Sequence, residues 1–221
     1  KFAATIVYAA LSGEEQGLSG GTILAAYAKA QGWQVEAVLN NDIVGNSRGL
    51  NGKIDDRTVR VFSEGVRATE TGTMANARKV NGGEVDSPSR SLARYMAQVA
   101  DDHMPDFSVR MIYRRDRYGR GGDQTEMLAA GFPALRITEA AEHYDRQHQD
   151  LRTETGKVYG DTIEFMDFPY LAKVTRLNVR SLAAIARAPL PPATKVEAAV
   201  STDTKVSWTP APGAASYCIY R

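Results

Sequence analysis

The sequence predicts an α/β domain, a mostly parallel or mixed sheet sandwiched by helices, with the start of a smaller all-β sandwich after it. Three observations carry this. Along residues 1–187, apolar stretches of strand length alternate with segments of helical period. Pro189, Pro191 and Pro192 then crowd into a stiff, extended linker over 188–194. Beyond it, over 195–221, short alternating runs replace the helical period.

Each element has its own signal. "FAATIVYAAL", residues 2–11, is nearly continuous apolar text and predicts a strand buried on both faces. From Ser19 the spacing of Ile23, Leu24 and Tyr27 is helical and fades near Gly32, after which "VEAVLNND", 35–42, predicts a second buried strand and closes a β-α-β unit. Ser87 is placed to cap a helix with Pro88 at its first position and Leu92, Tyr95, Met96 and Val99 on one face. A strand over 108–113, a helix over 125–130, a strand over 133–138 and a helix over 168–187 complete the domain. In the last segment Trp208 and a Pro/Gly turn at 210–213 predict a β-sandwich, with Cys218 as a small core residue on one of its strands.

Composition excludes several classes. The 221 residues carry 27 basic and 26 acidic side chains, so no field of one sign marks a nucleic-acid or membrane-surface binder. The longest apolar runs are about half of the ~20 residues a membrane helix needs. A single cysteine rules out an intrachain disulfide and a thiolate metal cluster. Both ends read as those of a fragment, since Lys1 runs straight into a strand pattern and "SYCIYR" stops inside another.

The chemistry concentrates in "ALSGEEQGLSGG", residues 10–21. Two unit charges ~4 Å apart repel by about 4 kcal/mol at a protein-like dielectric, so Glu14 and Glu15 beside a buried strand call for a cation or a shared proton. Asp42 ends the next predicted strand, and the C-terminal strand ends of an open sheet are where ligands bind. Carboxylates so placed suggest a metal. His148, in "QHQD", is a candidate ligand, with Asp150 an acid able to orient it or else a surface residue; His103, in an expected loop, and His143 are read as structural. "RRDRYGRGGDQTEM", 114–127, is a charge run that reads as a solvated loop.

"GEEQGLSGG", the Asp42 of "NNDIVG" 27 residues after Glu15, and "GFPALRITEAAEHYDRQHQD" stand in the order found in the M28 family of zinc aminopeptidases, which residues 1–187 resemble. The resemblance implies a zinc-exopeptidase fold and two zinc ions sharing a bridging aspartate, with peptides as substrates. It makes Glu14 the general base, Glu15 a ligand of one ion, Asp42 a ligand of the other and His148 the partner of Glu15. Where the family shows Asp-His, this chain has Asp123-Gln124: the resemblance implies that Asp123 walls the site, and a carboxamide carries no proton. The family's His-x-Asp motif and bridging aspartate belong upstream of residues 2–11, so the chain alone is expected to bind zinc weakly and to be inactive while its intact parent is active. The tail resembles the opening of a fibronectin type III domain, which some secreted bacterial members carry. That implies an extracellular or periplasmic protein, with surface or polymer contact through the module. Related M28-like sites support glutaminyl cyclisation or carboxypeptidase action, and metal-free relatives serve as binding ectodomains.

Overall fold

The computed structural model describes residues 2–82, 85–197, 199–200 and 202–219. Contacts divide the chain into two units, Tyr8–Ser181 and a second made of Lys1–Val7 with Leu182–Arg221.

In the first unit a four-stranded mixed sheet is formed by β1 (Val38–Asn41), β2 (Thr58–Phe62), β3 (Ser108–Ile112) and β4 (Ala134–Glu139) in the order β1-β4-β2-β3. The pairs β1–β4 and β2–β3 are parallel, and β2 runs antiparallel to β4. Every residue of β4 is buried, so "ALRITE" reads as a central strand although Arg136, Thr138 and Glu139 are polar. Helices α1 (Ser19–Ala30) and α4 (Gln124–Ala129) share a core cluster of Ala25, Met127, Leu128 and Ala134, with Val38 and Phe132 packed on it. That packing sets the start of α1 against the start of α4.

Helix α3 (Pro88–His103) forms where the cap and the period predict it. Ser87 Oγ accepts from Arg90 N at 3.1 Å. Leu92, Met96 and Val99 are buried, Tyr95 stays partly exposed, and the Ser89 hydroxyl accepts from Ala134 N at 3.1 Å, fastening the helix to β4. Helix α5 (Phe168–Ile185) turns Tyr170, Val174 and Leu177 inward, and Tyr170 lies edge-on to Phe107. Strand β2, helix α2 (Gly72–Asn81) and a small hairpin, β5 (Arg152–Glu154) with β6 (Lys157–Tyr159), were not foreseen in the sequence.

Four expectations are corrected, the last of them at Cys218 in the second unit. Residues 2–11 form no strand: the Ala3 and Ala4 amides both donate to Ala186 O, and Val7 and Tyr8 are exposed, Tyr8 at 81%. Apolar text specifies a strand only where a neighbour supplies a ladder, and among the described residues none pairs with this stretch. The second predicted strand shortens accordingly to β1, which pairs on one side only and is not fully buried. Third, His103 is the last residue of α3 rather than part of a loop.

In the second unit β7 (Thr194–Glu197) and β8 (Lys205–Trp208) pair as an antiparallel hairpin, with Trp208 against Tyr217 at 5.2 Å between ring centroids. Cys218 is exposed and outside any strand, so it is not the core residue expected.

Candidate functional site

The acidic turn is shaped by its glycines. Gly13 and Gly17 take positive φ of 73° and 94°, and Leu18, which leads into α1, is also left-handed at 61°. Gly17 N and Leu18 N both donate to Glu14 O, closing the loop on itself, and Gly20 N donates to Ser12 O at 2.8 Å. A Cβ on Gly20 would come within 2.6 Å of Ser12 O, and one on Gly21 within 2.6 Å of the Asp123 carboxylate. The "SGG" is therefore steric: it lets the start of α1 close on its own loop and on Asp123. Gly21 N donates to Asp123 Oδ1 at 3.2 Å.

Asp42 follows β1 directly, and its amide donates to Ile137 O. Its neighbour Ile43 is β-branched yet has φ 60°, a strained conformation of the kind that gathers at functional sites. Asp42 Oδ2 lies 2.6 Å from Arg136 Nη1. Arg136 is fully buried, and the same nitrogen meets Asp116 Oδ2 at 3.3 Å and donates to Gly121 O at 3.1 Å. Gln124 continues this network: its Nε2 donates to Asp116 Oδ2 at 2.8 Å and its Oε1 accepts from Asn40 at 2.9 Å. Both ends of the carboxamide are thus committed to neighbours.

His148 is a third strained position, with φ 51°. Its Nδ1 lies 3.1 Å from Glu15 Oε1, and its Nε2 lies 2.5 Å from Arg120 Nη2. Asp150 is exposed, the surface alternative of its two readings, and Glu15 is the acid against the imidazole. The structure therefore brings Glu15 to His148, and Asp42 to Arg136. His143 is turned towards Asp145, and burial, followed by the nearby Arg146, pushes its imidazole down.

The electrostatics bind the acids into one field. Burial pushes the Glu14 carboxyl above the usual range, and Asp42, Glu15 and Asp123 push it further against a smaller opposing effect of Arg136. Asp123 is raised in the same way, by burial first and then by Asp42 and Glu126. The donors available are carboxylate oxygen and imidazole nitrogen, the set zinc takes when thiolates are absent. Among the described residues no three such side chains close on one point, so they stand as a pair, Glu15 with His148, and a single, Asp42. They fit zinc in chemical kind.

Sequence reasoning missed Arg136, Asp116, Glu139 and Glu142. Glu139, at the end of β4, accepts from Asn46 N at 2.9 Å and Asn46 Nδ2 at 3.2 Å, and burial pushes its carboxyl up to about 7. Charged residues inside "ALRITEAAE" were the available signal, because buried charges are rare unless they have partners.

Comparison with known proteins supplies an independent line. Residues 1–166 match the model of peptidase family M28. The chain is similar to a probable zinc metalloprotease of Leptosphaeria maculans, 48% identical over 206 residues, covering 92% of this chain and 48% of that protein. A probable zinc metalloprotease of Pyrenophora tritici-repentis is 45% identical, covering 92% and 43%. The chain thus spans about half the length of these curated relatives. Among solved structures, Legionella pneumophila LapA superposes with a TM-score of 0.52 at 20% identity, over 80% of this chain and 39% of that one, a likeness of fold.

Proposed function

The chain belongs to peptidase family M28, and from that premise we propose that it is the catalytic part of a zinc aminopeptidase that removes N-terminal residues from peptides. The observation that carries the reading is the juxtaposition of Glu15 with His148 at 3.1 Å beside a Glu14 whose carboxyl is raised by burial, Asp42, Glu15 and Asp123. The relatives' names support zinc as the metal.

In this reading Glu15 and His148 hold one ion and Asp42 contributes to a second. Zinc, when bound, polarises the scissile carbonyl and acidifies water. Glu14 accepts the proton of the attacking water at a carboxylate oxygen and returns it to the leaving amine, a task helped by a carboxyl whose affinity for protons is already raised. Arg136 holds Asp42 in place, and Asp123 fixes the acidic turn through Gly21 N. Gln124, with both ends of its amide engaged, holds Asn40 and Asp116 together and moves no proton.

A location outside the cytoplasm, and contact of the fibronectin-like segment with a surface or polymer, belong to the same proposal. The resemblance supports them, and the β7–β8 hairpin with its Trp208–Tyr217 pair suits such a segment. The test is release of amine from an aminoacyl anilide by the zinc-loaded intact protein, run beside a carboxypeptidase substrate and an N-terminal glutaminyl peptide. Amine release is expected. Cleavage from the carboxyl end, or cyclisation without amine release, overturns the aminopeptidase assignment.

A further inference from the structure

The imidazole of His148 is held between an anion and a cation. Arginine only donates hydrogen bonds, so the 2.5 Å contact from Arg120 Nη2 makes His148 Nε2 the acceptor. The ring proton then sits on Nδ1, where it donates to Glu15 Oε1 at 3.1 Å. A neutral imidazole has one lone pair, and here the guanidinium uses it.

A metal ion needs that same lone pair. If the ion takes Nε2, it displaces Arg120 directly. If it takes Nδ1, the ring proton moves to Nε2, where it faces the donors of Arg120, and the contact is lost again. On either nitrogen, the ion and Arg120 exclude each other. Arg120 is exposed and lies in "YGRGG", beside Gly119 at φ 65° and Gly121, a stretch able to swing the side chain away without disturbing a core.

We propose that Arg120 is a positioning residue that stands in for the metal: its guanidinium holds His148 in place against Glu15 until an ion takes the lone pair and releases it. This rests on the metal reading of His148 given above. Across the His148 ring from Glu15, Arg120 also supplies a positive charge, so the ion on binding replaces a cation. Metal binding then has to break the Arg120–His148 contact.

The test uses zinc alone as the probe, in competition with a chromophoric chelator, on the wild type, Arg120→Ala, Arg120→Lys and His148→Ala. Arg120→Ala is expected to tighten zinc binding about two- to fivefold, since an exposed charged contact of this kind no longer has to be broken. Arg120→Lys, which keeps a donor and a charge, should stay near the wild type. His148→Ala should weaken binding. In the zinc-free wild type, side-chain nitrogen NMR should find the His148 proton on Nδ1, and Arg120→Ala should shift it towards Nε2. An Arg120→Ala protein with unchanged or weaker zinc affinity, or a wild-type His148 protonated on Nε2, overturns the role of Arg120 while leaving His148 a ligand. Unchanged affinity in His148→Ala overturns both readings, and so separates the two failures.

Discussion

Two groups of acids within the first unit differ in how they are neutralised. Asp116 and Glu142 are surrounded by guanidinium groups: Arg136 and Arg117 reach Asp116, while Arg60 and Arg117 reach Glu142, the latter pair at 2.8 Å. Burial would raise the Glu142 carboxyl, yet its hydrogen bond from Arg60 and the charges of Arg117 and Arg60 hold it below the usual range. Among the described residues, Glu14, Glu15, Asp42 and Asp123 share one arginine contact, that of Arg136 with Asp42, and Glu14 and Asp123 are raised instead. The first group is matched and serves the fold. The second is only partly matched, and its acids raise one another.

The largest way to test this contrast is at Glu14. Glu14→Gln is expected to keep zinc content while turnover by the intact protein falls about 10²- to 10⁴-fold, the usual contribution of a positioned acid or base. Full rate in that variant would remove Glu14 from the chemistry. On the matched side, Glu142→Ala removes the carboxylate that Arg60 and Arg117 share, leaving Arg117 with Asp116 and Arg60 with the Glu139 carbonyl. Breaking such a buried pair should cost about 3–5 kcal/mol in urea unfolding, with zinc affinity unchanged.

Glu139 gives a pH test between these extremes. Its carboxyl is raised to about 7 from 4.5, so the fold favours the protonated form. That contribution is complete below pH 4.5 and is lost as pH rises through 7, with a span of about 3 kcal/mol. Between pH 4 and 8 the unfolding free energy of the wild type should fall relative to that of Glu139→Gln by that span; parallel profiles would show that Glu139 does not titrate in this window. The smallest effect is zinc itself. At a free concentration about a hundred times its dissociation constant, the ion should stabilise the protein by about 2.7 kcal/mol, and His148→Ala should reduce that gain.

The sequence marked candidate site residues more plainly than the contacts that hold them. Ser87, Pro88 and the period of Leu92, Met96 and Val99 delivered α3, because a cap and an amphipathic face are local signals. Glu14, Glu15 and Asp42 were legible as acids flanked by glycine or set at a strand end. Arg136 was not, because what makes it matter is contact with Asp42 and Asp116, residues 94 and 20 positions away. The strand read into residues 2–11 failed for a related reason: a strand is a relation between segments, and apolarity describes only one of them. β2 was overlooked because Arg60 interrupts "TVRVF", although its guanidinium donates to Glu139 O and pairs with Glu142.

Residues 4–10, "ATIVYAA", also bear on handling. They join high β-propensity to an absence of charge and proline, and Val7 and Tyr8 lie open to solvent. A stretch of that kind is a predicted adhesive segment between copies. Val7→Lys is the substitution that should keep concentrated samples clear.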